Sequence, residues 1–260
     1  MLRVAALDGS TESLFWDVAN RDPLELFWFI YDWKLYRDVT KIWLALDEAE
    51  RVAGLLLLHR DTIIQFRGSR EAVKALLDYA SAKGGFEVQA PLDCEELVTG
   101  KFGSEGKVHM VLMKLQKGEE KIRISTEPAR LGVEDAEEVA ALLREADPLW
   151  WGEITAERLA GGSLKEALWF GIRQDKHIVS VGSTRLTNLG ISNIGIVATK
   201  EGYRNKGYAT SVTSALVKEI LKVSNTAIIH VLADNKPAVR TYTKVGFKPY
   251  KTYLAIRSKT

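Results

Sequence analysis

The chain has 260 residues, which exceeds the commonest single-domain size and predicts two domains. Hydrophobic residues make up 46% and charged residues 27%, as in ordinary globular proteins, so a largely disordered chain is excluded. The longest apolar run, 52–58, is far shorter than the ~20 residues that cross a bilayer. The first residues also lack the apolar stretch of a secretory signal. We therefore expect a cytoplasmic protein that does not associate with membranes.

Metal-binding residues are sparse. Cys94 is the single cysteine, so it cannot form an internal disulfide or anchor a zinc site with a second thiol. The four histidines are scattered along the chain and show no ligand spacing. We expect no metal site.

The net charge of +2 hides an asymmetry between the two halves. Residues 1–121 hold 16 Lys and Arg against 20 Asp and Glu, whereas residues 122–260 hold 20 against 14. The excess is strongest in 200–251, with ten basic and three acidic residues. Such a region either docks an anionic ligand or forms a solvated basic face. Nucleic acid is not expected, because no recognition-helix or aromatic stacking pattern accompanies the charges.

The first half begins with three consecutive apolar segments that predict strands, at 41–46, 52–58 and 62–66. A helix is predicted from about 69 to 82, followed by the predicted strands 86–89 and 108–115. The charged run 116–121 then interrupts the pattern. We place the domain boundary there, giving domains 1–118 and 122–260.

The second half alternates strands and helices, which predicts an α/β layer architecture. The predicted strands are 122–124, 168–172, 178–187, 193–198, 227–232 and 251–256. The predicted helices are 133–146, 209–223 and 236–245. Asn235 is a suitable N-cap for the last helix, and Gly246 is a usual residue after a helix C-terminus.

The two halves have a faintly repeated layout. Trp43 aligns with Trp169, Val52 with Val179 and Ile63 with Ile194, at offsets of 126, 127 and 131 residues. The drift is small enough to come from loop lengths, so the layout predicts a duplicated domain. The alternative is that two unrelated α/β domains share the same alternation.

The most informative segment is a strand, a basic loop and a helix between 195 and 210. Arg204 and Lys206 supply charge, Gly207 lets the backbone approach a ligand closely, and small Ala209 avoids crowding at the helix start. Such a junction directs backbone N–H groups and the positive end of the helix dipole at one spot, which favours phosphate. The pattern is neither a P-loop nor a dinucleotide fingerprint.

Two motifs in this half resemble the GNAT superfamily of acyl-CoA N-acyltransferases. The family signature R/Q-x-x-G-x-G/A is matched by Arg204, Gly207 and Ala209. A second signature, N-x-x-A-x-x-x-Y-x-x-x-G-F, is matched by residues 235–247. The resemblance covers roughly 122–260 and implies an α/β (α+β) fold with a splayed, mixed, mostly antiparallel sheet, in tandem with a degenerate copy.

The resemblance also implies a site for acetyl-CoA between the strands 193–198 and 227–232. Backbone groups of Val197 and Thr199 would pair with the pantetheine chain, and the diphosphate would bind the loop. The implied cofactor-binding residues are Val197, Ala198, Thr199, Arg204, Asn205, Lys206, Gly207, Tyr208, Ala209, Thr210 and Asn235.

Two side chains are candidates for the chemistry of acyl transfer. The resemblance implies that Tyr242 protonates the departing CoA sulfur; the alternative is a tyrosine packed against the sheet. Many relatives carry a glutamate on the strand before the loop, but 192–196 contain no carboxylate. Glu153 is the candidate substitute base, and the alternative is a solvated loop acid.

These features together predict an N-acyltransferase that moves an acetyl group from acetyl-CoA to a primary amine in a ternary complex, without metal. The acceptor is expected to be a small-molecule or peptide amine. The alternative is a CoA-binding sensor that lost catalysis. The first half has Ile64 to Ala72 at the position that matches the loop, so its helix starts almost at once and this half is predicted not to bind CoA.

Overall fold

A computed structural model describes residues 2–187 and 189–258, with the backbone alone at 149 and 150. The chain divides into two compact units. Unit 1 comprises Met1–Val111, Leu232–Asp234 and Lys251–Thr260, and unit 2 comprises Leu112–Val231 and Asn235–Tyr250. In the described part of the chain, no helix is long and apolar enough to span a membrane.

The predicted strands of both halves are largely present in the structure. The strands are β1 (Arg3–Ala6), β2 (Thr40–Leu46), β3 (Val52–His59), β4 (Ile63–Gly68), β5 (Phe86–Pro91), β6 (Lys107–Gln116), β7 (Ala129–Arg130), β8 (Leu168–Gln174), β9 (His177–Arg185), β10 (Ile191–Thr199), β11 (Thr226–Leu232) and β12 (Lys248–Ser258). The α-helices are α1 (Glu12–Ala19), α2 (Phe27–Leu35), α3 (Arg70–Leu76), α4 (Glu95–Phe102), α5 (Ala136–Ala146), α6 (Pro148–Trp151), α7 (Ala156–Gly161), α8 (Ser163–Glu166), α9 (Tyr208–Val223) and α10 (Lys236–Val245).

In unit 1 the strands follow the order β1-β2-β3-β4-β5-β12. The β4–β5 pair is parallel, and the other pairs are antiparallel. Alternate residues of β4 enter the apolar core, where Ile64 and Phe66 are fully buried with Val73 and Leu76 of α3. Burial of each such side chain is worth roughly 1.5–3 kcal/mol, so this face holds the unit together.

The last strand of the chain belongs to unit 1 rather than to the half in which it is encoded. Residues 253–258 of β12 pair antiparallel with 86–91 of β5. Leu254 and Ile256 of this strand are fully buried in the core of unit 1. The sequence shows the alternation of this strand but not its partner, because pairing between distant segments leaves no local signal.

In unit 2 the second half of β6 is followed in the sheet by β11, β10, β9, β8 and β7. The β10–β11 pair is parallel, and the pairs from β7 to β10 are antiparallel. A Cβ built on Gly182 of β9 would lie 2.7 Å from Val212 Cγ1, so α9 packs tightly on that face. The preceding residue of the strand, Val181, points to the opposite face and packs in the core formed with α5. The mixed, mostly antiparallel sheet expected from the sequence is confirmed.

One predicted strand is wrong. Residues 122–124 are not a strand but part of an extended coil that lies along α9. The N–H of Arg123 donates to Ser214 Oγ at 3.0 Å, and the N–H of Ser125 donates to Ser211 Oγ at 3.1 Å. Because hydroxyl groups of a helix satisfy these backbone groups, the alternating apolar residues need no strand partner.

A buried carboxyl group in unit 1 makes its stability depend on pH. Asp32 is 6% exposed, and its Oδ2 lies 3.8 Å from Nδ1 of His59, a nitrogen that also contacts Thr40 Oγ1 at 2.9 Å. Burial raises the pKa of Asp32 to about 7, although the Arg60 charge opposes the shift. Burial also lowers the pKa of His59, so the imidazole stays neutral beside it.

We expect the Asp32→Asn variant to be more stable than the wild type above pH 7 and equally stable near pH 4. The native state keeps a proton that the unfolded chain releases, so the free energy of unfolding falls as the pH rises from about 4 to about 7. The gain is at most about 4 kcal/mol, because each pKa unit corresponds to about 1.4 kcal/mol. Thermal unfolding across this pH range measures it, and parallel curves for the two proteins would contradict it.

Candidate active site

The connection between β10 and α9 is a basic loop with two residues in the left-handed region. Asn205 has φ 62° and Gly207 has φ 84°, and Gly207 is the N-cap of α9 without a side-chain cap. The N–H groups of residues 205–210 make no hydrogen bond to any described residue. Six backbone donors and the positive end of a 16-residue helix therefore remain available to an anion.

Charged side chains surround these donors. Arg204 and Lys206 are exposed, and Arg204 Nε donates to the carbonyl of Thr199 at 3.3 Å. Lys206 Nζ lies 4.8 Å from the ring centroid of Tyr203. Because Gly207 has a positive φ, any larger residue there would be strained.

A cleft of about 370 Å³ lies beside the helix start. It is lined by Arg123, Ile124, Ser125, Gly207, Thr210 and Lys244. Sequence reasoning missed Arg123 and Ser125 as site residues, because the motif begins about 80 residues later in the chain. The contact between the coil and α9 brings them to the loop.

Next to the loop, β10 has an open edge. Its pairing with β11 covers only Ile191–Ile194, whereas its pairing with β9 continues to Thr199. Lys200 N–H donates to the carbonyl of Val179 in β9 at 2.9 Å. Because neighbouring residues of a strand direct their backbone groups to opposite sides, Val197 and Thr199 direct theirs away from β9. Ala198 directs its own toward β9, so two of the three residues offer hydrogen-bonding groups at the open edge.

The structure places Asn235 and Tyr242 in different environments, although both belong to the α10 segment. Asn235 is exposed, and its Oδ1 accepts the N–H of Ala238 at 3.1 Å, which confirms it as the N-cap. Its amide nitrogen remains available as a donor. Tyr242 is 5% exposed, and its ring packs edge-on against Phe247 with centroids 6.1 Å apart.

The hydroxyl of Tyr242 makes no hydrogen bond to any described residue. Burial raises the pKa of Tyr242, so the phenol keeps its proton at neutral pH. A buried phenol without a partner is able to donate to a ligand atom that reaches it.

Glu153 lies in an exposed turn after α6. It belongs to unit 2, like the loop. Glu201 is also exposed, at the start of a single 3-10 turn in the loop. In the described part of the chain, no group of three His, Cys, Asp or Glu side chains is arranged to hold a metal ion.

Unit 1 has no counterpart of the basic loop, as its sequence predicts. A single residue, Ser69, connects β4 to α3, and its Oγ accepts the N–H of Ala72 at 3.2 Å. A Cβ built on Gly68 would lie 2.3 Å from the carbonyl oxygen of Ala53. The helix start is thus capped by the chain itself, and the backbone before it is packed against a neighbouring strand.

Comparisons with known proteins support the fold. The profile of the family described as FR47-like protein matches residues 169–256, about one third of the chain. No curated protein sequence matches significantly.

Several solved structures are similar over nearly the whole chain. A Drosophila protein matches with a TM-score of 0.71 and 15% identity, covering 98% of this chain and 97% of its own. A GCN5-related N-acetyltransferase from Sphaerobacter thermophilus matches with a TM-score of 0.66 and 14% identity, covering 99% and 95%. A tandem GNAT protein from the clavulanic acid biosynthesis pathway matches with a TM-score of 0.58 and 14% identity, covering 100% and 98%. The chain has the GNAT superfamily fold.

We expect the hydrogen bonds from the coil to Ser211 and Ser214 of α9 to hold residues 123–126 in place at the cleft. In a Ser211→Ala, Ser214→Ala double variant, residues 123–126 lose their hydroxyl acceptors, at a cost of about 1 kcal/mol for each hydrogen bond. We expect trypsin to cleave after Arg123 faster than in the wild type. Thr213→Ala is the control, because that hydroxyl bonds only to Ala209 within the same helix. Equal cleavage of the double variant and the control would contradict the assignment.

Proposed function

We propose that the chain is an N-acetyltransferase that moves the acetyl group of acetyl-CoA directly to a primary amine. The observation that carries this proposal is the combination of an open strand edge with an uncapped, basic helix start at its end. The pantetheine arm of CoA carries two amide groups and leads to a diphosphate, so the molecule matches both features in one direction.

The fit to CoA rests on three groups of atoms. The N–H groups of residues 205–210 suit the diphosphate, with Arg204 and Lys206 beside them. The outward backbone groups of Val197 and Thr199 suit the amides of the pantetheine arm, which would bind as an added strand does. The exposed amide nitrogen of Asn235 supplies a further donor for the same arm.

The reaction requires one proton to leave the amine and one to reach the sulfur. The amine nitrogen attacks the thioester carbonyl carbon, a C–N bond forms, and the C–S bond breaks. We assign the proton received by the thiolate to Tyr242, because its buried phenol is protonated and unpaired. Glu153 is our candidate for receiving the amine proton, and its exposed turn would release that proton to water.

The second candidate is a CoA-binding sensor without catalysis. One observation favours it: residues 192–196 of β10 contain no carboxylate that would act as a base next to the open edge. Saturable acetyl-CoA binding without CoA release across a panel of amines, amino acids and peptide N-termini would favour the sensor over the enzyme.

We further propose that unit 1 is a degenerate copy and that each chain binds one CoA. The capping of α3 by Ser69 and the packing of Gly68 against Ala53 support this, because both remove the space that a phosphate loop needs. The acceptor is expected to be a small-molecule or peptide amine, and the chemistry requires no metal.

Replacing Gly207 by Glu is expected to abolish CoA binding. The substitution forces a side chain into a backbone conformation with φ 84° and places a carboxylate at the helix start, where it repels the diphosphate. Titration calorimetry should give one equivalent of CoA per wild-type chain and no measurable binding for the variant.

Gly202→Glu is the matched control, because it adds the same charge in the same loop at a position where a Cβ meets no atom within 4 Å. We expect this control to weaken binding about tenfold or less, which corresponds to 1.4 kcal/mol. Two equivalents per chain, or tight binding by Gly207→Glu, would contradict the assignment of the site.

Replacing Tyr242 by Phe should lower kcat about 100-fold and leave the CoA Kd nearly unchanged, because general acid catalysis contributes on that scale. The variant should fold normally, since the deleted hydroxyl has no hydrogen-bond partner among the described residues. Rapid-quench measurement of the chemical step checks the prediction. An unchanged rate of that step removes Tyr242 from the role of acid.

A further inference from the structure

A small opening interrupts the packed surface of β10. The pairing of β10 with β9 shifts register between Ile194 and Ile196, so Gly195 is the extra residue of a bulge. Gly195 is exposed, whereas Ile191–Ile194 before it are buried. Apart from its chain neighbours, a Cβ built on Gly195 would have one described heavy atom within 4 Å, the Nδ2 of Asn193 at 3.8 Å. We call this opening the Gly195 notch.

Asn193 borders the notch with a side-chain amide whose oxygen the fold leaves unsatisfied. Asn193 is 9% exposed, and its Oδ1 is buried without a hydrogen-bond partner among the described residues. Its cross-strand neighbours do not provide one, because Arg185 pairs with Glu166 at 3.0 Å and Ile228 is apolar. A buried amide oxygen without a partner costs about 1–3 kcal/mol, so it is uncommon without a role.

The notch lies where the open edge of β10 ends. A pantetheine arm whose diphosphate binds the loop would run back along the edge, past Thr199 and then Val197. It reaches Gly195 after four residues, about 13 Å at the usual rise of a strand. Beyond Gly195 the edge is closed, since Ile194 pairs with Ile229. The reacting end of such an arm therefore arrives at the notch.

We propose that the Nδ2 group of Asn193 donates a hydrogen bond to the carbonyl oxygen of the acyl group in the Gly195 notch. This inference rests on the proposed function and adds a catalytic residue that neither motif contains. When the amine attacks, the carbonyl oxygen gains negative charge, and it loses this charge when the C–S bond breaks. A fixed donor at this oxygen stabilises the charge without giving up its proton.

The amide nitrogen is the atom that borders the notch, which favours a donor role over an acceptor role. A neutral amide also does not accept a proton near neutral pH, so Asn193 would not serve as the base. Its position on the strand is fixed by pairing with β9 on one side and β11 on the other. Such a donor is preorganised, as a group that stabilises developing charge must be.

The decisive experiment compares Asn193→Ala with Asn193→Asp. We expect Asn193→Ala to lower kcat about 100-fold, the typical effect of losing one donor to a developing oxyanion. Asn193→Asp has the same size but carries no donor and adds negative charge, so its kcat should be equally low or lower. The acetyl-CoA Kd of both variants should stay within about threefold, less than 0.7 kcal/mol.

Two outcomes overturn the proposal. Asn193→Asp with a kcat at or above the wild type would show that the side chain accepts a proton from the amine. Asn193→Ala with wild-type kcat would show that the side chain does not contact the reacting atoms. Rates are measured as thiol release with the best amine of the panel, or with water as acceptor if no amine reacts.

Gly195→Val tests the notch itself. The φ of Gly195 lies outside the left-handed region and no described atom lies closer than 3.8 Å to the new Cβ, so the fold should accept the side chain. We expect kcat to fall at least tenfold, which corresponds to about 1.4 kcal/mol of lost transition-state stabilisation. The affinity for CoA without an acyl group should not change. Gly161→Val, at an open position in α7, is the control.

Different results would contradict the proposed enzyme and the role of Asn193. A wild-type chain that does not bind CoA, or that binds it without releasing thiol to any amine or to water, contradicts the proposed enzyme and with it the role of Asn193. A wild-type chain that transfers acetyl groups at a rate insensitive to Asn193 and Gly195 contradicts only the inference. Melting temperatures equal to that of the wild type confirm that the variants are folded.

Discussion

The separation of β10 from β11 after Ile194 is the constraint on which the candidate site depends. Two parallel strands that stay paired satisfy each other's backbone groups and leave no room for a ligand. Because the pairing stops at Ile194 and Ile229, the outward groups of Val197 and Thr199 have no strand partner. The bulge at Gly195 stands at this point, where the strand changes its direction. The open edge, the notch and the approach to the basic loop all follow from it.

Unit 1 contains the same parallel separation and closes it with its own side chains. The pairing of β4 with β5 ends at Gln65 and Gln89. Arg67, 3% exposed, donates to the carbonyl of Phe66 at 2.8 Å and to Gln65 Oε1 at 3.0 Å, and it stacks on Tyr253 at 4.0 Å. Burial lowers the pKa of this guanidinium, and Glu25 lies 3.9 Å from its Nε. The guanidinium of Arg67 is therefore held by groups of unit 1 itself near the end of this pairing, and a short capped helix follows β4 directly.

Periodicity and capping residues were sufficient to predict most strands and the helix 236–245, because those signals are local. The prediction of a strand at 122–124 is wrong, since its apolar alternation is the same whether a strand or a helix satisfies the backbone. The partner of β12 was not predictable, because a strand pattern does not encode which sheet it joins. In the candidate site, the basic residues and the glycine between a predicted strand and a predicted helix indicated the loop, and residue type indicated the N-cap Asn235. The sequence did not indicate the notch, since the bulge at Gly195 and the unpaired amide oxygen of Asn193 arise only when three strands are placed side by side.

The position of β12 has a consequence for the order in which the protein forms. A ribosome delivers the chain from its N-terminus, and residues 1–111 of unit 1 emerge long before 253–258. Until the final strand arrives, β5 presents an unpaired edge with a row of free backbone groups, the kind of edge that promotes aggregation. Leu254 and Ile256 are also missing from the core during this interval. The part of the protein that is synthesised first is thus completed only after β12 has been synthesised.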